Sequence, residues 1–178
     1  MTNWFIGERM GCAFEAPLSR MRWIEHGQSF DAGDRSFVAH RPPAFDSPTT
    51  RGLLDTRTGV YWAADAFAAP VVHAVDDVAD IEAGFWSAVL PSATRSMTPW
   101  IDLVDERKWI AAVDATQALG ATTIASCHSP VITGANVALA YDLLRAAPTA
   151  PAMPLPGQAD LEAMIAATAP GSEITTAA

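Results

Sequence analysis

The chain has 178 residues, a length that suits one compact domain. Half of the residues are apolar and 17% are charged, a composition typical of folded globular proteins rather than disordered chains. The net charge of −9 argues against nucleic acids and anionic membrane surfaces as partners, because both are bound mainly through lysine and arginine.

The sequence also predicts a cytoplasmic protein. No apolar run approaches the roughly 20 residues that a membrane-spanning helix needs. The first residues lack the basic and long apolar regions of a signal peptide. Two cysteines, Cys12 and Cys127, are too few for a disulfide framework.

Short strands and tight turns are predicted for the N-terminal part of the chain. Apolar runs alternate there with clusters of Gly and Asp. These runs span residues 22–25, 29–30 and 35–40. The next segment, His40–Gly52, is predicted to be a loop, because its three prolines lack backbone donors and disfavour helix before them.

A β-hairpin is predicted after this loop. Its strands are Gly52–Asp55 and Val60–Ala64, which flank a turn-forming Thr56–Gly59 segment. The second strand is apolar and is expected to be buried, and Asp65 ends it.

Helical periodicity begins at Asp76. The first predicted helix carries an apolar stripe and ends at Pro91. The stripe consists of Val78, Ile81, Phe85 and Val89. A second helix is predicted from about Pro99 to Leu119, with Gly120 as a left-handed cap.

A short strand, Thr122–Ala125, is expected next, running into a Ser126–Pro130 loop. A third helix follows from Asn136 to about Ala147. We therefore expect an α/β, or layered α+β, domain over residues 1–147. Residues 148–178 are expected to form a Pro/Ala-rich linker, a short helix over Asp160–Thr168 and a tail.

Two side chains are placed where α/β folds commonly bind ligands, at the ends of strands. His128 follows the Thr122–Ala125 strand, and a purely structural histidine is the alternative. Asp65 ends the buried hairpin strand, and a buried carboxylate normally has a partner or a metal ion; a capping role is the alternative.

Other candidates carry weaker signals. Asp46 precedes Ser-Pro-Thr-Thr, where an Asx turn is a strong alternative to a functional role. His40, at a strand end, is open to a functional or a hydrogen-bonded structural role. Cys127 is expected to be a buried small apolar residue, since a zinc-finger arrangement needs more Cys or His nearby.

The segments His40–Ala68 and Ala121–Gly134 resemble the second half of a metallo-β-lactamase-fold protein. They are most similar to the branch related to the oxygen-binding di-iron domain of flavodiiron proteins. In that family one strand ends in an Asp that bridges two metal ions, and a later strand ends in a His that binds one of them. The matching positions are Asp65 and His128. The resemblance implies the C-terminal half of an αβ/βα sandwich, a mixed sheet with helices on one face.

The resemblance also implies a third metal ligand ahead of Asp65, where the family usually has a His. By register this chain has Asp46 at that place, with His40 as the alternative if the loop is threaded differently. A carboxylate in place of an imidazole favours iron or manganese over zinc.

The family's H-x-H-x-D-H or H-x-E-x-D-H cluster has no counterpart in residues 1–41. That cluster supplies most of the ligands, so the resemblance implies weak or incomplete binding of the family's two divalent ions, Zn or Fe. Met1 is then an internal methionine of a longer ancestor, a misplaced start, or the true start of a remnant.

Three functions are compatible with this resemblance. The leading expectation is a metal-dependent hydrolase of the metallo-β-lactamase fold, truncated and acting on an unknown small molecule, with unassigned catalytic residues. One alternative is a flavodiiron-like di-iron protein that binds oxygen or carries out redox chemistry, although no flavin-binding segment is recognised. The other is a non-catalytic remnant or interaction module. A homodimer is expected, because self-association would cover apolar surface.

Overall fold

The computed structural model describes Ser19 and residues 22–168. Cys12 and the expected tail beyond Thr168 lie outside the described residues. Six strands form one sheet: β1 (Ser29–Asp31), β2 (Ser36–His40), β3 (Gly52–Asp55), β4 (Val60–Trp62), β5 (Thr123–Ser126) and β6 (Ser129–Thr133). The helices are α1 (Ala83–Met97), α2 (Glu106–Gln117), α3 (Asn136–Ala146) and α4 (Gln158–Thr168). Short 3-10 helices span Val78–Asp80, Pro99–Leu103 and Ala147–Thr149.

The sheet is mixed, with its strands in chain order. Neighbouring strands are antiparallel except β4 and β5, which are parallel. The long connection between these two strands contains α1 and α2. Because parallel strands point the same way, the segments that follow β4 and β5 lie at the same end of the sheet, beyond the carboxyl ends of these strands.

One face of the sheet forms the main core. Leu54, Tyr61, Ile124 and Ile132 lie opposite one another across four strands and are buried. The helices pack on this face, where Trp109 of α2 donates its indole N–H to the Leu144 carbonyl of α3 at 2.9 Å. This arrangement confirms the expected mixed sheet with helices on one face.

The other face of the sheet carries a row of apolar residues. Leu53, Trp62 and Ala125 are adjacent along it, and Trp62 is 42% exposed. An exposed tryptophan within a sheet face suits contact with another polypeptide. The expected homodimer stays a prediction.

The first helix differs from its predicted form. α1 continues through Pro91 to Met97, so the prediction that Pro91 ends it was wrong. Proline removes one backbone donor, and the burial of Trp86 and Leu90 offsets that loss. The expected stripe is confirmed in part: Val78 is buried and Ile81 and Val89 pack against the core, but Phe85 is 44% exposed. The periodicity that suggested it began at Val78, which belongs to a separate 3-10 helix.

Two other boundaries differ for local reasons. The second predicted helix is divided into the 3-10 helix Pro99–Leu103 and α2. Asp105 accepts the N–H groups of Arg107 and Lys108 and is the N-cap at which α2 begins. The expected Ser126–Pro130 loop is shorter, because Ser129 and Pro130 begin edge strand β6. Proline is tolerated at a sheet edge.

Most of the remaining elements follow the sequence, but the apolar run at residues 22–25 does not form a strand. The hairpin, the His40–Gly52 loop, β5 and the third helix lie where expected, and Gly120 has the left-handed φ of 71°. Beyond α3, residues 151–157 are exposed and lead to α4, which buries none of its residues. None of the helices in the described part is long and apolar enough to cross a membrane.

Candidate functional site

Asp65 lies in a tight turn that follows β4. Ala64, directly before it, has a φ of 51°, and Phe67, two residues after it, has a φ of 65°. Left-handed conformations of residues with a side chain cost roughly 1–2 kcal/mol each, so packing must hold this turn. Phe67 supplies that packing, since it is fully buried with its ring edge-on to Tyr141 of α3.

His128 lies in the turn between β5 and β6, and backbone hydrogen bonds hold this turn against the Asp65 turn. The Cys127 N–H donates to the Ala64 carbonyl at 2.8 Å, and the Ala69 N–H donates to the His128 carbonyl at 2.9 Å. These bonds fix the two turns side by side at the end of the sheet where β4 and β5 finish.

The two side chains meet in this arrangement. Nε2 of His128 lies 3.1 Å from Oδ1 of Asp65, and the side chains are 45% and 31% exposed. A carboxylate and an imidazole that are close together and open to solvent can receive a ligand. Their role as metal ligands stays a prediction.

Ser126 is a positioning residue that the sequence reading did not identify. Its hydroxyl donates to the Ala64 carbonyl at 3.2 Å and accepts the His128 N–H at 3.3 Å. It therefore joins the two turns that carry Asp65 and His128. The sequence signal for this positioning role was a serine two residues before a candidate histidine.

Asp46 and His40 are not brought into this pair. Oδ1 of Asp46 accepts the Thr50 hydroxyl at 3.3 Å within the 41–51 loop, close to the local turn weighed as its alternative role. Within residues 22–168 and at Ser19, no three His, Cys, Asp or Glu side chains are placed to hold one metal ion. Asp46 and His40 as ligands remain predictions.

His40 has a structural environment. It is 6% exposed, and its Nε2 lies 2.9 Å from the Thr116 hydroxyl of α2. Because that hydroxyl donates to the Ala112 carbonyl, it accepts from a neutral His40. Burial, aided by the nearby His26 ring, lowers the pKa of His40 to about 4.

Cys127 differs from its expected state. It was expected to be a buried apolar residue, but its free thiol is exposed because it lies in the turn. Partial burial and the neighbouring Asp65 charge raise the pKa of Cys127. The thiol form is a poor metal ligand, so Cys127 adds little to the Asp65–His128 pair.

A groove of about 390 Å³ opens beside His128. Its lining is largely apolar and includes Pro70, Val71, Val75, Met97 and Pro130. Ser129 contributes a buried hydroxyl oxygen that has no hydrogen-bond partner in the described structure. The groove suits a small uncharged molecule or an apolar side chain.

The donor chemistry fits iron only in part. The carboxylate of Asp65 and the imidazole of His128 are both common iron ligands in proteins. Two protein ligands leave most of an iron ion's coordination positions unfilled. The described residues therefore fit part of an iron site and do not complete a two-metal centre.

Comparison with known proteins found similarity in solved structures. No protein-family model and no curated protein matches the chain. Rubredoxin oxygen:oxidoreductase from Desulfovibrio gigas matches with a TM-score of 0.64 and 13% identity, covering 81% of this chain and 36% of that one. The flavodiiron protein from Giardia intestinalis matches with a TM-score of 0.65 and 10% identity, covering 83% and 35%.

A third match is the chemotaxis sensor ODP from T. denticola, with a TM-score of 0.50 and 21% identity. It covers 81% of this chain and 57% of the sensor. The chain thus spans about a third of the length of the two proteins above and just over half of the sensor. These likenesses establish the architecture that the resemblance implied. The chain has the same fold as the part of these flavodiiron proteins that it matches.

Proposed function

We propose that this chain is a flavodiiron-like domain that binds iron and dioxygen, with Asp65 and His128 as iron ligands. One observation carries the proposal. The parallel strands β4 and β5 lead into turns that place the Asp65 carboxylate 3.1 Å from the His128 imidazole, in a flavodiiron-type fold.

The neighbours favour redox chemistry over hydrolysis. One is described as an oxygen:oxidoreductase, another as a flavodiiron protein, and the ODP sensor in one structure as a peroxy diiron species. Iron supplies dioxygen binding and electron transfer in such sites. This supports the oxygen-binding alternative more than the hydrolase that the sequence reading preferred.

The residues of the chain have distinct parts in this proposal. Asp65 offers two carboxylate oxygens, which allow a single side chain to contact one ion or two. His128 offers Nε2, and Ser126 fixes its backbone. The apolar groove beside His128 admits an uncharged molecule such as dioxygen more readily than an anion.

Iron binding is expected to be weak. The described structure brings two protein donors together, and Asp46 is proposed as a third from the 41–51 loop. Metal sites with few protein ligands hold the ion loosely, because water fills the other positions. The proposal therefore predicts measurable but incomplete occupancy in the isolated chain.

Anaerobic titration of the full chain with Fe(II), followed by dialysis and iron analysis, tests the proposal. Asp65→Asn and His128→Gln are each expected to weaken iron binding by roughly tenfold or more, because each removes a direct ligand. His73→Gln is the matched control, since His73 is an exposed histidine that is not among the proposed ligands. Circular dichroism checks that each variant is folded.

Admission of air then tests the oxygen chemistry. The iron-loaded wild type is expected to show a change in visible absorbance and to consume dioxygen, and Asp65→Asn is expected to show neither. Unchanged iron binding by both ligand variants would reject the proposed site. Selective retention of zinc together with ester or phosphodiester hydrolysis would instead support the hydrolase.

A further inference from the structure

The C-terminal helix α4 has a composition that favours burial. Leu161, Met164 and Ile165 lie on one side of it and are 49%, 64% and 59% exposed. Alanines occupy much of its remaining surface, and its carboxylates are Asp160 and Glu162. A short helix in water is marginally stable without tertiary contacts. Its apolar side therefore calls for a partner surface.

An apolar surface of suitable size lies nearby. The groove beside His128 is lined by Pro70, Val71 and Met97, and Met97 is 36% exposed. His128 is the ionisable side chain of its lining. A helix that carries no basic residue and projects Leu, Met and Ile can bury those side chains there while its carboxylates stay in water.

The chain is fixed close to this groove before α4 begins. The Met153 N–H donates to the Ser96 hydroxyl at 2.9 Å, and Ser96 directly precedes Met97. The Arg95 guanidinium also donates to the carbonyls of Pro148 and Ala150, at 3.0 and 2.7 Å. These bonds hold the start of the C-terminal segment at the end of α1.

The remaining link is long enough to reach the groove. Five residue steps separate Met153 from Gln158, and Pro154 and Pro156 within them favour an extended chain. At about 3.1 Å per residue, such a link spans roughly 16 Å. The groove begins at the residue next to the attachment point, so α4 can lie across it.

We propose that α4 docks over the groove beside His128, with Leu161, Met164 and Ile165 turned toward Met97 and Val71. The docked helix covers the opening next to the Asp65–His128 pair and controls access to it. This inference goes beyond the proposed iron chemistry and does not depend on it, because the contact is made by apolar side chains without metal.

Disulfide trapping tests the contact. In the full chain, Cys12→Ser and Cys127→Ser remove the native thiols, and Met97→Cys places one thiol in the groove. The second thiol is introduced by Met164→Cys on the apolar side or by Ala163→Cys as the matched control. Ala163 has almost the same tether length but lies about 200° around the helix from Leu161.

The variant with Met97→Cys and Met164→Cys is expected to form an intramolecular disulfide at least about fivefold faster than the variant with Met97→Cys and Ala163→Cys. Docking raises the effective concentration of the two thiols for the first variant only. Mass spectrometry under non-reducing conditions separates this product from a cross-linked dimer. Equal rates for the two pairs would overturn the proposal, and circular dichroism confirms that both variants are folded.

A second measurement keeps the helix and changes its apolar side. The variant combining Leu161→Ser, Met164→Ser and Ile165→Ser is expected to bind more of an apolar fluorescent dye than the wild type, because the groove becomes open. If Leu161, Met164 and Ile165 face water in the wild type, the same variant binds less dye, because it has lost exposed apolar surface. The sign of the change therefore decides between docked and undocked α4, with or without iron.

Discussion

The imidazole of His128 and the carboxylate of Asp65 contact each other at 3.1 Å across 63 positions of sequence. Neither side chain lies within a strand. Each lies in a turn just beyond one of two parallel strands, and backbone hydrogen bonds join the turns. The contact is therefore a property of the sheet topology, and its precision depends on the conformation of the turns.

The first prediction concerns the backbone of the Asp65 turn. Ala64 has a φ of 51°, which glycine adopts without steric cost, so Ala64→Gly is expected to raise the free energy of unfolding by about 0.5–1 kcal/mol. Ala63→Gly is the control and is expected to lower it by about 1 kcal/mol, since Ala63 is buried without a left-handed φ. Denaturant unfolding of the two variants measures both changes. A loss of stability in Ala64→Gly would show that the turn is not strained.

The second prediction concerns Asp46. If it is the third iron ligand, Asp46→Asn weakens Fe(II) binding by roughly tenfold, whereas the exposed Asp80→Asn leaves it unchanged. Thr50→Val removes the hydroxyl that donates to Asp46 and is expected to leave iron binding intact or slightly stronger. Equal affinities in Asp46→Asn and wild type would remove Asp46 from the site.

The third prediction concerns acid stability. Burial lowers the pKa of His40 from 6.5 to about 4, with the neighbouring His26 adding to the effect. The unfolded chain therefore binds a proton more readily than the folded chain, so stability is lost as the pH falls below 6.5 toward 4. Between pH 7 and pH 5 the loss from this group is expected to be roughly 1–2 kcal/mol.

A variant comparison isolates the His40 contribution from that of the carboxylates. His40→Gln cannot titrate, so the difference in unfolding free energy between wild type and His40→Gln should shrink or reverse from pH 7 to pH 5. His73→Gln, at an exposed position, should follow the wild type. A parallel pH dependence in His40→Gln and wild type would contradict the assignment.

The fourth prediction concerns the close packing at Gly52. A Cβ at this position would lie 2.5 Å from the Tyr61 hydroxyl oxygen and 2.6 Å from the Trp62 carbonyl oxygen. Because the carbonyl belongs to the backbone, Gly52→Ala is expected to lower the free energy of unfolding by roughly 1–3 kcal/mol.

Gly157→Ala is the matched control for Gly52. Its added Cβ would come no closer than 3.8 Å to the Asp160 side chain, so its stability should stay near that of the wild type. Thermal or denaturant unfolding measures the two variants together. Equal midpoints would mean that β3 and β4 can separate slightly without cost.

Much of the fold could be predicted from local sequence signals. Turn residues marked the β3–β4 hairpin, and three prolines marked the His40–Gly52 loop. Those signals act within a few residues and do not depend on tertiary contacts. The predicted end of α1 at Pro91 was wrong because tertiary burial determines where this helix ends. Proline disfavours helix locally, but the packing of Trp86 and Leu90 overrides that preference.

The candidate site was predictable only where it coincided with strand ends. Asp65 and His128 each follow an apolar strand, and the structure brings them together. The burial of His40 against Thr116 could not be read from the sequence, because 76 positions separate the two residues and no short motif links them. The same holds for the groove, which forms between segments distant in the chain.

The crossover between β4 and β5 also bears on how any metal would act on the chain. Closing so long a loop is entropically unfavourable until the helices within it pack, so the unfolded chain does not hold the two donors together. An ion that binds them recognises the native state alone. By mass action, at a hundred times its dissociation constant, such an ion would stabilise the native state by about 2.7 kcal/mol, and a thermal shift could then report binding too weak for direct isolation.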